Sequence, residues 1–220
     1  MNDRRFLNCR LPNFRSSVVL GLSLLCTFAP QIASASALEQ LKNFVSATRS
    51  ASGEFSQRLQ KADSSKVSNP ASGTFLFARP GKFIWTYTKP YAQVLQADGE
   101  KLYIYDQDLN QVTIKKLGSA LGSSPAAILF GSNDQEKNFT QQEAGVQDGL
   151  EWLSATPKAR DTTFDSIRIG FKDNLPMTME LHDSFGQISL LQFRQFNKNP
   201  LLQGDPFRFI TPKGADVIGP

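Results

Sequence analysis

Few residues in this chain have the types and spacing that catalysis requires. His182 is the only histidine, so a nucleophile–histidine relay would have to use it, and its position beside the predicted turn at Asp183 favours a solvated side chain. Asp106 and Asp108 could form an acid–base pair, but they flank a predicted turn, where solvated carboxylates are ordinary. The sequence contains no nucleophile elbow, phosphate-binding glycine loop or dinucleotide motif. It therefore predicts a protein that is not an enzyme, with no catalytic residue and no cofactor.

Arg79 is the side chain whose surroundings suggest a specific polar role. A strand containing Phe75 and Phe77 leads from apolar surroundings into Arg79 and the Pro80-Gly81 turn. A guanidinium fixed in that position could donate several hydrogen bonds to carbonyls across the mouth of a cavity. A surface arginine beside a turn is the alternative, and this local pattern alone favours it.

The first 35 residues have the parts of a secretory signal. Four arginines lie near the start, an apolar run covers Val18–Ala29, and the small residues Ala33-Ser34-Ala35 follow Pro30. This order predicts export and cleavage between Ala35 and Ser36. The apolar run is too short to span a bilayer as a helix. We therefore expect residues 1–35 to be a signal peptide and residues 36–220 to form a single domain.

Cysteine content and charge exclude two kinds of site. Both cysteines, Cys9 and Cys26, lie in the predicted signal, so the mature chain is expected to have no disulfide and no thiolate metal site. Removing residues 1–35 takes away four basic residues and Asp3, which leaves 20 basic and 19 acidic side chains. A nearly neutral balance argues against nucleic-acid binding, which depends on clustered positive charge. We expect no metal site.

The mature sequence is mainly β, after one amphipathic helix. Leu38, Leu41, Phe44 and Val45 recur at helical spacing and predict a helix over residues 37–50. From Phe55 onward the apolar period changes to two residues, which is typical of strands. About ten strands follow, separated by turns at Asp98-Gly99, Asp148-Gly149, Asp173-Asn174 and Phe185-Gly186, and interrupted by a short apolar helix over Ala126–Phe130. So many strands predict an antiparallel sheet that must curl or close.

Several strands are apolar on both faces, which indicates that each face is covered. Phe75 and Phe77 alternate with Leu76, and Ile104 alternates with Tyr105. The N-terminal helix and the short helix are the predicted covers, and neither is long enough to fill the concave side of so wide a sheet. The pattern is compatible with helices over an apolar cavity. An ordinary packed core explains the same residues and is favoured by these patterns alone.

One long block of residues is distinctive. It is Gly73-Thr-Phe-Leu-Phe-Ala-Arg79-Pro80-Gly-Lys-Phe83-Ile-Trp85-Thr-Tyr87, followed by Pro90, Gln93, Asp98-Gly99 and Tyr105-Asp106. This block resembles the LolA family of periplasmic outer-membrane lipoprotein carriers. The likeness extends to Phe55-Ser-Gln57, to Gln111-Val112 and to Phe207-Arg-Phe209-Ile-Thr-Pro212-Lys-Gly214-Ala-Asp216-Val217. It covers essentially the whole mature chain, but residues 133–160 carry little of it.

The resemblance implies an incomplete, unclosed β-barrel with helices over an apolar cavity, and with it a function and a set of partners. A carrier of this family binds the acyl chains of lipoproteins in the periplasm, receives them from an inner-membrane ABC transporter and passes them to an outer-membrane receptor lipoprotein. We expect a monomer with no nucleic-acid partner. Related half-barrels serve as lipid- or lipoprotein-sensing regulators, usually with a second domain, and a carrier of another lipid, such as a glycolipid, is a further alternative.

The resemblance also implies roles for particular residues. Arg79 stands at the position of an arginine that hydrogen-bonds the helical lid in the closed, empty form, and so acts as a latch. Phe83 is expected to admit cargo and contact the transporter, and the Ala126–Phe130 helix matches a lid element. The candidate lining of the apolar cavity is Leu41, Phe44, Val45, Phe55, Phe75, Phe77, Trp85, Tyr87, Ile128, Leu129 and Phe130.

Overall fold

The protein is built around one antiparallel sheet with a helix on one face. The computed structural model describes residues 35–61, 70–117, 128–129, 135–159, 162 and 164–219. Within these residues the helices are α1 (Ala37–Ala47) and α2 (Gln135–Asn138). The strands are β1 (Ser50–Lys61), β2 (Ala71–Ala78), β3 (Lys82–Lys89), β4 (Gln93–Asp98), β5 (Lys101–Asp106), β6 (Gln111–Lys116), β7 (Phe139–Gln147), β8 (Leu150–Pro157), β9 (Phe164–Lys172), β10 (Leu175–Asp183), β11 (Gln187–Lys198) and β12 (Asp216–Ile218).

The sheet is open, which confirms the predicted mainly β, unclosed architecture. Its strand order is β12-β6-β5-β4-β3-β2-β1-β11-β10-β9-β8-β7. All neighbouring strands are antiparallel except β12, which pairs with β6 in parallel. Two ladders of neighbouring strands meet where β1 pairs with β11, so that Phe55 lies opposite Phe193. Strands β7 and β12 form the two edges.

The first helix ends earlier than its apolar spacing predicts. Thr48 has extended backbone angles, and β1 begins at Ser50, inside the predicted helix. The Oδ1 atom of Asn199 accepts hydrogen bonds from the backbone N–H groups of Arg49 and Ser50. These long-range bonds draw the chain into the sheet, and a local periodicity contains no information about them. Of the predicted helix Ala126–Phe130, Ile128 and Leu129 are helical and fully buried, and the other three residues lie outside the described ranges.

The predicted turns lie where strands reverse. Asp148-Gly149 joins β7 to β8, and Asp173-Asn174 joins β9 to β10, with positive φ at both residues of each pair. Two successive positive φ angles define the hairpin turn whose twist matches that of the flanking strands. Asp, Asn and Gly tolerate this backbone region better than other residues, which is why the pairs could be identified from sequence.

The strand register places the connections at two opposite ends of the sheet. The turns at residues 79–81, 99–100, 148–149 and 173–174 lie at one end, here called the Arg79 end. The turns at residues 90–92, 107–110 and 184–186 lie at the other, here called the Tyr91 end. Helix α1 packs against the face that carries Phe77, and this is the α1 face.

The opposite face is covered over β4 and β5 by the C-terminal segment, which corrects the expectation that helices supply both covers. Phe207 is 2% exposed, and its carbonyl accepts a hydrogen bond of 2.9 Å from Nε2 of Gln96. The ring of Phe209 stacks on Tyr103 at a centroid distance of 4.4 Å. The segment then ends as β12 at the edge of the sheet. Apolar residues on both faces of β4 and β5 are thus explained without a second helix.

Among the described residues, no helix combines the length and apolar character required to cross a bilayer. The signal peptide predicted for residues 1–35 falls almost entirely outside the described ranges, since only Ala35 belongs to them.

Candidate functional site

Helix α1 covers part of the sheet through one apolar stripe. Leu41, Phe44 and Val45 are buried against the sheet, as predicted from their spacing. Ser36 accepts a side-chain hydrogen bond from the backbone N–H of Glu39 and so caps the helix. The helix contacts strands β7 to β10, and the ring of Phe44 lies 6.3 Å from that of Phe77. The stripe therefore forms the interface between a helical cover and the sheet.

A carboxylate from the sheet edge holds the N-terminus of α1. The two side-chain oxygens of Glu143 on β7 accept hydrogen bonds from the backbone N–H groups of Ala37 and Leu38, at 3.1 and 2.9 Å. These N–H groups have no partner within the helix. A negative charge at a helix N-terminus also interacts favourably with the helix dipole. Glu143 thus fastens one end of the cover to β7.

Two side chains hold the C-terminal end of α1. Nε of Arg79 donates a hydrogen bond of 3.0 Å to the carbonyl of Thr48. Nδ2 of Asn199 donates to the carbonyl of Ala47 at 2.9 Å. Because the last carbonyls of a helix lack intrahelical donors, these bonds satisfy groups that would otherwise lose water on burial. The helix is thus attached to the sheet at both ends through side-chain hydrogen bonds, which are separate from the backbone bonds of the sheet.

Arg79 lies between two aromatic rings of the interface. Its guanidinium carbon is 5.4 Å from the centroid of Phe44 and 5.2 Å from that of Phe77. Burial lowers the pKa of Arg79 to about 10, so the group remains charged at neutral pH. A buried cation is stable only where hydrogen-bond acceptors and ring faces replace water. The contact of Arg79 with a helical cover is consistent with the predicted latch; its release on opening stays a prediction.

The α1 face carries a continuous cluster of aromatic rings. Phe55 stacks on Trp85 at a centroid distance of 4.1 Å, and Phe75 lies 5.9 Å from the same indole. The rings of Phe193 and Phe196 lie 5.7 and 5.2 Å from Phe75. A bulge between β1 and β11, with Gln195 at φ 50°, lets these two phenylalanines face the same side. The centre of the sheet is thereby apolar across several strands.

Two glycines make room for these rings. Gly53 lies opposite Phe75, and Gly73 lies opposite Phe55, in the β1–β2 ladder. A Cβ atom at Gly53 would lie 2.7 Å from the Phe75 ring, and one at Gly73 would lie 1.7 Å from the carbonyl oxygen of Thr86. Each phenyl ring therefore extends over a neighbouring strand where a side chain is missing.

Burial on the α1 face differs between its two halves. Beneath α1, the side chains of Leu153, Ile167, Ile169 and Phe171 are fully buried. On β3 to β5, the residues Trp85, Tyr87, Leu95 and Leu102 pack against the core but stay only partly buried. This half-buried apolar surface is the part of the α1 face that additional apolar groups could reach with the least rearrangement. We call it the aromatic shelf.

The predicted cavity-lining residues that the structure describes belong to the hydrophobic cluster or pack against it; their lining of a cavity stays a prediction. Leu41, Phe44, Val45, Phe55, Phe75, Phe77, Ile128 and Leu129 are buried, and Trp85 and Tyr87 are half-buried; Phe130 lies outside the described residues. Burial raises the pKa of the Tyr87 phenol, which donates a hydrogen bond of 2.8 Å to Oε1 of Gln57. Phe83 is 6% exposed and lies between Phe77 and Ala97 in the ladder. Its predicted contact with cargo and transporter requires the cover to move.

Groups that could support catalysis are not assembled in the described part of the chain. Nε2 of His182 is 3.4 Å from Oε2 of Glu180, and that carboxylate forms an ion pair of 2.7 Å with Arg168. Asp106 uses Oδ1 to accept a hydrogen bond from the backbone N–H of Leu109, and so shapes a turn. No group of three potential metal ligands occurs among the described residues.

Sequence reasoning did not identify Glu143 or Asn199. Each binds α1 from a position more than a hundred residues away in the chain. The only local signal was the type of Asn199, an amide after a predicted strand, which is common and not specific.

Comparisons with known proteins agree with the architecture. The family described as "Outer membrane lipoprotein carrier protein LolA" matches residues 46–210. An outer-membrane lipoprotein carrier protein of Cupriavidus necator is 57% identical over 204 residues, which cover 91% of this chain and 97% of the relative. A protein of the same name from Chromobacterium violaceum is 50% identical over 186 residues, covering 84% and 89%. A solved structure of an uncharacterized conserved protein from Thermus thermophilus has the same fold, with a TM-score of 0.52, 13% identity and coverage of 82% and 95%.

Proposed function

This chain belongs to the LolA family of outer-membrane lipoprotein carriers, and from that premise we propose that it shields the acyl chains of lipoproteins against the aromatic shelf while they cross the periplasm. In this proposal the chain is an exported monomer, and its action involves binding and release without a chemical step. It receives cargo from an inner-membrane ABC transporter and gives it to an outer-membrane receptor lipoprotein, and nucleic acid is not a partner.

The observation that carries the proposal is the way α1 is attached. The helix covers an apolar face, yet its two ends are held by Glu143, Arg79 and Asn199 through hydrogen bonds. Breaking these bonds leaves every strand pair of the sheet intact. Movement of the cover thus requires these bonds and the apolar contacts of Leu41, Phe44 and Val45 to be given up, but no strand pair. A movable cover over apolar rings is what transient acyl binding requires.

The energy of acyl transfer explains why shielding is needed. Each buried methylene contributes about 0.8 kcal/mol, so a chain of about 14 carbons gains on the order of 10 kcal/mol. Such a chain does not cross water unshielded at a useful rate. If the empty protein is mainly closed, its apparent affinity falls by the fraction of molecules that are open. Closure thus lowers the affinity enough for cargo to pass to a receptor that binds it better.

Two substitutions on neighbouring positions of β4 test the proposal. Leu95 lies on the α1 face and Val94 on the opposite face, and both are half-buried. The wild-type protein, purified from the periplasm, is expected to carry acylated lipoprotein detectable by native mass spectrometry. Leu95→Glu is expected to lose this cargo because it places a charge among apolar rings, whereas Val94→Glu is expected to retain it.

The controls separate loss of binding from loss of folding. Both variants are compared with the wild type by circular dichroism and thermal unfolding, and cargo is counted per folded molecule. Equal loss of cargo from both variants would contradict binding on the α1 face. Copurification of a free glycolipid without lipoprotein would contradict the lipoprotein cargo and support a glycolipid carrier.

A further inference from the structure

A pocket at the Tyr91 end of the sheet adjoins the aromatic shelf. It has a volume of about 440 Å³, which lies within the usual range for small-ligand sites. It is lined by Tyr87, Lys89, Pro90, Tyr91, Gln93, Asp106, Asp108 and Leu109. These residues come from the ends of β3, β4 and β5 and from the turns that follow β3 and β5. Three connected strand ends therefore form its walls.

The pocket is continuous with the apolar surface through Tyr87. The ring of Tyr87 lies 5.1 Å from that of Phe55 in an edge-on contact. Tyr87 lies opposite Gln93, and Gln93 lies opposite Asp106, in neighbouring ladders. Directly opposed residues project to the same face of a sheet, so the pocket extends the α1 face to the ends of its strands.

The chemistry of the walls suits a basic side chain. Asp106 uses Oδ1 within its own turn, and its Oδ2 accepts no hydrogen bond from any described residue. Asp108 is exposed and forms no ion pair within the described ranges. Tyr91 and Leu109 are 73% and 68% exposed and offer apolar surface. The aliphatic stem of a lysine or arginine can pack against such a surface. Its charged group can interact with carboxylates and with the faces of aromatic rings.

The two ends of the sheet differ in a way that gives the pocket a role. At the Arg79 end, Arg79 and Asn199 fasten α1 to the sheet. At the Tyr91 end, the shelf opens into the pocket. A lipoprotein joins acyl chains to a polypeptide, and the polypeptide must leave the shelf where it meets water. The Tyr91 end provides a polar exit directly beside the bound chains.

We propose that this pocket binds basic side chains in the polypeptide segment next to the acyl group of the cargo. The proposal rests on the proposed carrier function and adds a preference for one kind of peptide to it. Lys89 also lines the pocket and opposes this preference, so the net charge of the lining side chains is −1, from two aspartates and one lysine. An acidic peptide meets two carboxylates there and binds less tightly.

Three synthetic peptides test the preference. They share one N-terminal palmitoyl group and one length, and they carry two lysines, two glutamines or two glutamates after the acylated residue. Dissociation constants are measured by calorimetry at low salt, below the concentration at which the peptides form micelles. The wild type is expected to bind the lysine peptide about fivefold more tightly than the glutamate peptide, with a smaller ratio in high salt.

Matched variants assign the preference to the pocket. Asp106→Asn combined with Asp108→Asn is expected to abolish it, because asparagine keeps the turn hydrogen bond and removes the charge. Lys89→Gln is expected to increase the preference for the lysine peptide over the glutamate peptide. Asp148→Asn, an exposed turn residue at the Arg79 end, is expected to leave it unchanged.

The outcomes separate this proposal from the carrier function. Equal binding of all three peptides by the wild type would overturn the pocket proposal and leave the carrier function standing. A preference that persists in the double variant would also overturn it, because the charge responsible would lie elsewhere. Failure of every acylated peptide to bind would instead refute the carrier function on which it rests.

Discussion

Replacing Arg79 by leucine should tighten the binding of acyl ligands and slow their release. The substitution removes the hydrogen bond from Nε to the carbonyl of Thr48 and the contacts of the guanidinium with the rings of Phe44 and Phe77. Leucine keeps an apolar side chain between the rings. The closed arrangement of α1 thus loses stabilisation, while the strand pairs of the sheet are unaffected.

The size of the effect follows from these contacts. A hydrogen bond from a charged group contributes about 1.5–3 kcal/mol, and each cation–π contact about 0.5–1 kcal/mol. The free-energy cost of burying the charge offsets part of both contributions, and the lowered pKa of Arg79 reflects this cost. We therefore expect a net loss of about 1.5–3 kcal/mol from the closed state. This shifts the ratio of closed to open molecules by roughly tenfold to a hundredfold, and the apparent affinity rises until most molecules are open.

Binding of a fluorescent fatty-acyl probe measures this shift. The dissociation constant is obtained by titration, and the release rate by mixing the loaded protein with an excess of unlabelled acyl acceptor. Arg49→Leu is the matched control, because Arg49 is exposed and adjacent to the same helix end. Arg79→Lys keeps a charge without the planar fork of donors and is expected to lie between wild type and Arg79→Leu.

One result would refute the reasoning. If Arg79→Leu folds normally and binds the probe with unchanged or weaker affinity than Arg49→Leu, the arginine does not stabilise a closed state. Its contact with Thr48 would then be a fixed part of the fold in the loaded protein as well.

Three further predictions concern the support of the site. Gly73→Ala should lower the free energy of unfolding by about 2 kcal/mol or more in urea denaturation, because its Cβ would overlap the carbonyl oxygen of Thr86; unchanged stability would show that β3 shifts freely. Glu143→Gln should destabilise the first turn of α1 by about 0.5 kcal/mol, visible as faster hydrogen exchange at Ala37, and exchange as slow as in wild type would argue against a role for the charge. Phe83→Glu should reduce loading of the acyl probe because it places an unpaired charge in an apolar region, whereas Phe83→Leu should load normally; equal loading by both would remove Phe83 from the entry path.

The parts of the fold that could be predicted are those determined by neighbouring residues. The strands and their turns follow from a period of two and from pairs such as Asp173-Asn174, whose backbone angles few other residues tolerate. Strand β12 was not predicted, because three residues show no period and its pairing with β6 depends on distant contacts. The cover of the opposite face by Phe207 was missed for the same reason.

The candidate site shows the same division. The aromatic residues of β2 and β3 share the α1 face as their alternation predicts. Strict alternation would place Phe193 and Phe196 on opposite faces, and only the bulge at Gln195 brings both toward Phe75. The attachment of α1 by Glu143 and Asn199 depends on how distant strands come together, which no local pattern records.

The pairing of β1 with β11 determines when the aromatic cluster is complete. Strands β2 to β6 are neighbours both in sequence and in the sheet, and so are β7 to β11, so each ladder forms from contacts between nearby residues. The seam between Phe55 and Phe193 joins residues far apart in the sequence, and such contacts form slowly. A chain that lacks β11 lacks Phe193 and Phe196, two of the rings that pack on Phe75. The shelf on β3 to β5 therefore gains its full set of neighbouring rings only in the last step of sheet assembly.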